Sequence, residues 1–214
     1  MYQLLIGLTL FLCINVNAAV NAADQNAQVA TKAHATTASL VELKTDLGTM
    51  VIQLYDKKAP LTVKNFLSLV NEGFYDGVIF HRVIPNFVAQ AGGYTFDFQR
   101  KPTQATVVNE SNNGLDNTQA TVAMARTRDP NSASTQFYIN LRDNPSLNAT
   151  ADKPGYTVFG KVIQGFDVAQ KIAQEPRGQY QGFRDAPNVP VRILEATVID
   201  ADARETSAPV QNPQ

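Results

Sequence analysis

Residues 40–55 read LVELKTDLGTMVIQLY, and this stretch sets the architecture. Two apolar-rich runs, Leu40–Lys44 and Met50–Tyr55, flank the turn Asp46-Leu47-Gly48, which is the pattern of a β-hairpin. Downstream, Pro60 opens a segment with Val63, Phe66, Leu67 and Val70 at i, i+3, i+4 and i+7, closed by Gly73. That spacing predicts an amphipathic helix. Asp76-Gly77 is a turn dipeptide leading into a strand at Val78–Ile84. Further strands are expected at Phe87–Gln90, Thr121–Arg126, Gln136–Leu141, Tyr156–Ile163 and Val191–Asp200. A second helix fits Phe166–Gln174, with Phe166, Val168 and Ile172 inward and a stop near Pro176. About eight strands and two helices, with few strand–helix–strand units, predict a mainly β fold. The expectation is an eight-stranded antiparallel β-barrel, closed on itself and capped by two α-helices.

The ends have another character. Leu4–Ile14 (LLIGLTLFLCI) is uncharged and apolar, and small-residue sites follow at Val16-Asn17-Ala18 and Val20-Asn21-Ala22. This is the pattern of a secretory signal, so residues 1–22 are expected to be a cleaved leader. The stretch is too short to span a bilayer, which takes roughly 18 or more apolar residues, and no membrane span is expected after cleavage. Residues 23–38 are small and polar without an apolar period, a flexible lead-in, and residues 203–214 form a similar tail. The folded domain is expected over residues 39–202. The single cysteine, Cys13, lies inside the leader, so the mature chain is expected to use neither disulfides nor thiol chemistry. The formal net charge of -1 argues against nucleic-acid binding through a basic face. Of the two histidines, His34 falls in the lead-in, which leaves little for a transition-metal site. Neither metal nor cofactor is expected, and the sequence gives no reason for more than a monomer.

Four blocks carry the chemistry. They are FHRVIPNFVAQAGG (80–93), NNGLDNTQATVAMART (112–127), STQFYINL (134–141) and YTVFGKVIQGFDV (156–168). In order and spacing they resemble the cyclophilin-type peptidyl-prolyl isomerases, most closely the secreted bacterial members, and the resemblance covers roughly Leu40 to Asp200. It implies a capped eight-stranded barrel that acts on X–Pro bonds in proline-containing polypeptides without cofactor or metal. Together with the leader, it implies a periplasmic isomerase that assists the folding of exported proteins. By the same resemblance Arg82 is the catalytic arginine, Phe87 the floor of the proline pocket and Gln90 the residue orienting arginine and substrate. Ala125, Arg126 and Thr127 match the strand segment whose backbone pairs with substrate, and Gln136, Tyr138 and Leu147 match further pocket positions. Val88 stands where the family usually has Met, and Tyr138, usually Phe, adds a hydroxyl to the pocket wall. Tyr156 stands where eukaryotic members carry His. Ser146 replaces a bulky aromatic and opens one side of the pocket, while Ala91 replaces the first glycine after Gln90.

The residue types fit such a reaction. Rotation about an amide C–N bond faces a barrier of about 18–20 kcal/mol set by resonance, and no σ bond breaks. Residues 80–93 accordingly hold an arginine and a carboxamide among apolar side chains, but no Ser, Cys, Asp or Glu. A guanidinium stabilises the twisted state by donating to a nitrogen lone pair that the planar ground state withholds. His81 alternates with Arg82 along the strand and is expected on the other face as a satisfied structural histidine. Glu110 and Asp116 are the nearest carboxylates for a hydrolytic pair, in a turn-rich loop expected to face solvent. Ser134 and Ser146 have no histidine at a suggestive spacing for a Ser-His triad. The alternative function on the same scaffold is a chaperone module that holds proline-containing chains with weak or no turnover. The pairing of Arg82 with Gln90 favours the enzyme.

Overall fold

A computed structural model describes residues 38–102, 105–180 and 182–199. The expected leader, the tail and all of the lead-in before residue 38 lie outside the described residues. The hairpin read from residues 40–55 forms as β1 (Leu40–Thr45) and β2 (Gly48–Leu54). Then follow α1 (Pro60–Asn71), β3 (Arg82–Ile84), β4 (Val88–Ala91), β5 (Thr121–Met124) and β6 (Phe137–Asn140). After them come β7 (Val158–Gln164), α2 (Phe166–Gln174), β8 (Arg177–Tyr180), β9 (Phe183–Pro187) and β10 (Ile193–Ile199). Two 3-10 turns, Pro130–Ser132 and Pro145–Leu147, interrupt the long connections.

One eight-stranded sheet runs β10-β1-β2-β7-β5-β6-β4-β3, each neighbouring pair antiparallel. The expected closed barrel is therefore corrected to an open, curled sheet, because the edge strands β3 and β10 share no ladder. The cause is local. Of the predicted strand Val78–Ile84 only three residues, Arg82–Ile84, pair regularly, while Val78 bridges Thr95 and Ile79 bridges Arg192. Isolated backbone bonds cross the gap instead: Gly77 N–H to Ile193 O at 2.8 Å, Ile193 N–H to Val78 O at 2.7 Å, and Phe80 N–H to Val191 O at 2.9 Å. The hairpin β8–β9 was not anticipated, and its β9 lies beside β3. It covers the edge that a closed barrel would have paired.

Strand alternation divides the sheet into two faces. Val83, Ala89, Ala91, Val122, Met124, Phe137 and Ile139 enter the main core, whereas Val88, Ala123, Tyr138 and Val158 form a separate cluster. The main core is keyed by α1, whose Phe66 ring lies 5.2 Å from Tyr75, 5.5 Å from Phe137 and 5.0 Å from Phe159. Buried Tyr75 donates its hydroxyl to Thr135 O at 2.9 Å, so its polar end is satisfied. Helix α1 carries no cap of its own at Ala59. Glu110 supplies one from 48 residues away, accepting from Thr62 N–H at 2.9 Å and Thr62 Oγ1 at 2.7 Å, and from Leu61 N–H at 3.0 Å. Glu110 is thus a helix cap and not a solvent-facing loop carboxylate. Asp116 accepts from Asn148 Nδ2 at 2.8 Å.

Candidate active site

The register of the ladders builds the site. Arg82 on β3 stands opposite Gln90 on β4, Gln90 opposite Tyr138 on β6, Tyr138 opposite Ala123 on β5, and Ala123 opposite Val158 on β7. Because side chains directly opposite share a face, these five form one row across the outside of the sheet. The neighbouring row, Val83, Ala89, Ile139 and Val122, faces the core.

On the outer face a cavity of about 200 Å³ is lined by Arg82, Phe87, Val88, Gln90, Ala125, Arg126, Tyr138, Leu147 and Tyr156. These come from five separate stretches of chain, and all were singled out from the sequence. The remaining two predicted residues, Thr127 and Gln136, line an adjoining cavity of about 140 Å³ together with Gln90, Ala125 and Arg126. A relay of side chains marks the boundary. Arg82 donates through Nη1 to Gln90 Oε1 at 3.2 Å, and Gln90 Nε2 donates to Gln136 Oε1 at 2.9 Å. A carboxamide has one acceptor and one donor end, so this chain of contacts fixes which end of Gln90 meets the arginine. The Arg82 guanidinium carbon lies 6.0 Å from the Phe87 ring centre, beside the cavity that both line.

The pocket wall and floor are tied together from behind. Tyr138 donates its hydroxyl to Asn117 Oδ1 at 2.8 Å, inside the protein and not into the cavity. The expectation that this hydroxyl would face the pocket is corrected: only the ring is presented there. Burial pushes the Tyr138 phenol well above its ordinary range. Asn140 Nδ2 donates to the same Asn117 oxygen at 3.1 Å and to Thr121 Oγ1 at 2.9 Å. Asn144 Nδ2 then donates to Asn140 Oδ1 at 2.8 Å and to Phe87 O at 3.0 Å. Leu141 N–H also donates to Phe87 O, at 2.9 Å. The sequence reading missed this asparagine network, and the density of asparagines in NNGLDN and NLRDN was its one signal.

Leu147 ends the 3-10 turn Pro145–Leu147 and accepts from Tyr156 N–H at 2.9 Å, while Ser146 is exposed beside it. Tyr156 meets Tyr138 edge-on at 5.9 Å and lies under the Arg126 guanidinium at 4.6 Å. Ala91 is a buried β4 residue opposite Phe137, and the sheet accepts its methyl. The strict glycine is Gly92: its φ is +95°, and a Cβ there would clash with Thr135 O. His81 is 4% exposed, as a structural histidine should be, yet its Nδ1 has no partner. Burial pushes its pKa down to about 4, against smaller upward contributions from the Ile79 backbone and the Gln136 side chain. Its ring packs edge-on against Tyr94 at 4.7 Å and Phe183 of β9 at 5.9 Å.

Comparisons with known proteins identify the family. The family described as cyclophilin type peptidyl-prolyl cis-trans isomerase/CLD matches residues 40–198. The peptidyl-prolyl cis-trans isomerase of Acinetobacter baylyi is 50% identical over 166 residues, covering 78% of this chain and 88% of that protein. One from Streptomyces antibioticus is 50% identical over 164 residues, 75% of this chain and 99% of its own. Among solved structures, a cyclophilin type peptidyl-prolyl cis-trans isomerase of Cryptosporidium parvum, crystallised in the presence of the dipeptide Ala-Pro, superposes with a TM-score of 0.62. That match covers 75% of this chain and 99% of that one at 24% identity, and it carries the fold alone.

Proposed function

Because the chain belongs to the cyclophilin-type peptidyl-prolyl cis-trans isomerases and is an enzyme of that class, we propose that Arg82 is its electrostatic catalyst and that the adjoining cavity, with Phe87, Val88 and Leu147 in its wall, receives the proline ring. The observation that carries this is the Arg82–Gln90 contact of 3.2 Å at the edge of a cavity walled by Phe87, Tyr138 and Leu147. The proline ring enters the cavity and the preceding peptide lies along Ala125–Thr127, with Gln90 and Gln136 fixing its carbonyl and amide groups. As the C–N bond twists, the nitrogen lone pair leaves the carbonyl and becomes an acceptor. The guanidinium donates to it, an interaction the planar amide lacks, so binding energy is realised in the transition state. Gln90 holds the guanidinium oriented before substrate arrives, which lowers the reorganisation cost. Substrates on this reading are proline-containing, unfolded or partly folded polypeptides, in keeping with the Ala-Pro dipeptide of the structural relative. The apolar stretch Leu4–Ile14 and the small-residue sites after it support export to the periplasm, where the monomer assists the folding of other exported chains. No helix among the described residues is long and apolar enough to cross a membrane.

A protease-coupled assay on a set of X–Pro peptides tests the catalytic assignment, wild type against Arg82→Ala. The expected loss is about a hundredfold or more in kcat/KM. Equal rates, with both proteins still suppressing aggregation of an unfolded client, would replace this reading with the chaperone one. N-terminal sequencing of protein recovered from the periplasm tests export, and an intact Met1 there would refute the cleaved leader.

A further inference from the structure

The cavity of about 140 Å³ beside the proline pocket carries a charge that the isomerase chemistry does not use. Two guanidiniums, of Arg100 and Arg126, line it, and no carboxylate lines either it or the proline cavity. The chain as a whole has a net charge of -1, so this is a local excess of positive charge. Among the described residues the ion pairs belong to Lys44, Lys171 and Arg192, and none involves Arg82, Arg100 or Arg126. Resting on the isomerase reading of the neighbouring pocket, we propose that this cavity is a specificity subsite for an acidic side chain of the substrate, Asp or Glu, close in sequence to the proline.

Arg126 is a preset anchor. It donates through Nε to Gly155 O at 3.1 Å, through Nη2 to Pro154 O at 2.8 Å and through Nη1 to Thr127 O at 2.9 Å, and it stacks on Tyr156. Neutral carbonyls orient the cation without cancelling its charge, so its position is settled before a ligand arrives. Arg100 is exposed and free to close on a bound carboxylate from the other side. Two further groups are already engaged. Thr127 Oγ1 donates to Ser132 Oγ at 2.8 Å, and Ser132 Oγ donates to Asp129 O at 2.7 Å, which makes these hydroxyls wall rather than ligand. Asp129, three residues from Arg126, accepts from Asn131 N–H at 2.9 Å within its own turn, and Asp97, three residues from Arg100, accepts from Thr95 Oγ1; neither lines the cavity. A lysine side chain in the same place meets like charge, so the subsite discriminates by repulsion as well as attraction.

The test is a panel of peptides with one X–Pro bond, carrying Glu, Gln or Lys in turn at each of the three positions before and two after the proline. Isomerisation by the full chain is read from NMR exchange at low and high salt. The expected result is a Glu-over-Gln preference in kcat/KM of roughly threefold to tenfold at one position, with Lys slower than Gln. The preference shrinks as salt screens it, and Arg100→Glu reverses the order of Glu and Lys. A Glu-to-Gln ratio within twofold at every position, or a ratio untouched by Arg100→Glu, would overturn the subsite. Failure of the isomerase reading looks different, because no peptide would then exchange faster than in buffer. In that event, chemical-shift titration with the same peptides still decides the subsite, through tighter binding of Glu than Gln.

Discussion

The two faces of β4, β5 and β6 are made from the same strands and solve opposite problems. The inner face, with Ala89, Ala91, Val122, Met124, Phe137 and Ile139, is sealed under α1 and filled by interlocked aromatic rings. The outer face, with Val88, Gln90, Ala123 and Tyr138, has no second layer among the described residues, and loops only partly roof it. On the inner face the side chain's volume is its role. On the outer face a charged or polar end counts, and the apolar part serves as wall. Substitutions inside should therefore cost stability, and substitutions outside should cost activity.

The largest test of that contrast is Phe137→Ala, which opens a cavity against Phe66 and Tyr75. It should destabilise the protein by about 3–5 kcal/mol in denaturant unfolding. A loss under about 1 kcal/mol would mean that the inner face is not close-packed. Next, Arg82→Ala, already expected to abolish most turnover, should leave unfolding free energy within about 0.5 kcal/mol, because Arg82 is half-buried and makes no ion pair among the described residues. A large stability loss would make Arg82 part of the framework and break the division between faces.

His81 gives a test apart from both faces, where its ring packs against Tyr94 and Phe183 of β9. Its native pKa lies near 4, below the ordinary 6.5, so the unfolded chain takes up a proton that the folded chain refuses. Stability from this residue is complete above about pH 7 and lost as pH falls through 6.5 toward 4. The loss amounts to about 3 kcal/mol at most. Unfolding of wild type and His81→Asn compared across that window should show a steeper acid fall for wild type, and parallel curves would refute the burial effect. The smallest effect belongs to Tyr138→Phe, which removes the hydroxyl from Asn117 but keeps the ring. About 1 kcal/mol of stability should go, with kcat/KM nearly unchanged. A several-fold change in turnover would mean that the hydroxyl reaches substrate after all.

Much of this was legible in the chain, for a local reason. Alternation and helical spacing are written over five to ten residues, so β1, β2, α1 and α2 lie where the residues put them, nearly to the position. Arg82, Phe87 and Gln90 were legible because they fall within one short block. The β8–β9 hairpin was not, since RGQY and FRDAP carry little apolar alternation, and what holds the hairpin is β3 and the rings of Tyr94 and Phe98. Nor was the cap that Glu110 places on α1, a contact spanning 48 residues.

By itself, the sequence determined where β1, β2, α1 and α2 run, which side of those strands is apolar, and that residues 80–93 bring together an arginine and a carboxamide without a nucleophile. Tertiary structure alone decided that Arg82, Gln90, Tyr138, Ala123 and Val158 share one row, that the sheet stays open between β3 and β10, and that the Tyr138 hydroxyl turns inward to Asn117. The physical reason is register. Alternation has a period of two and belongs to each strand, whereas the offset between strands is set by every ladder and turn joining them. A shift of one residue in a single ladder would have exchanged the row that faces the core with the row that forms the site.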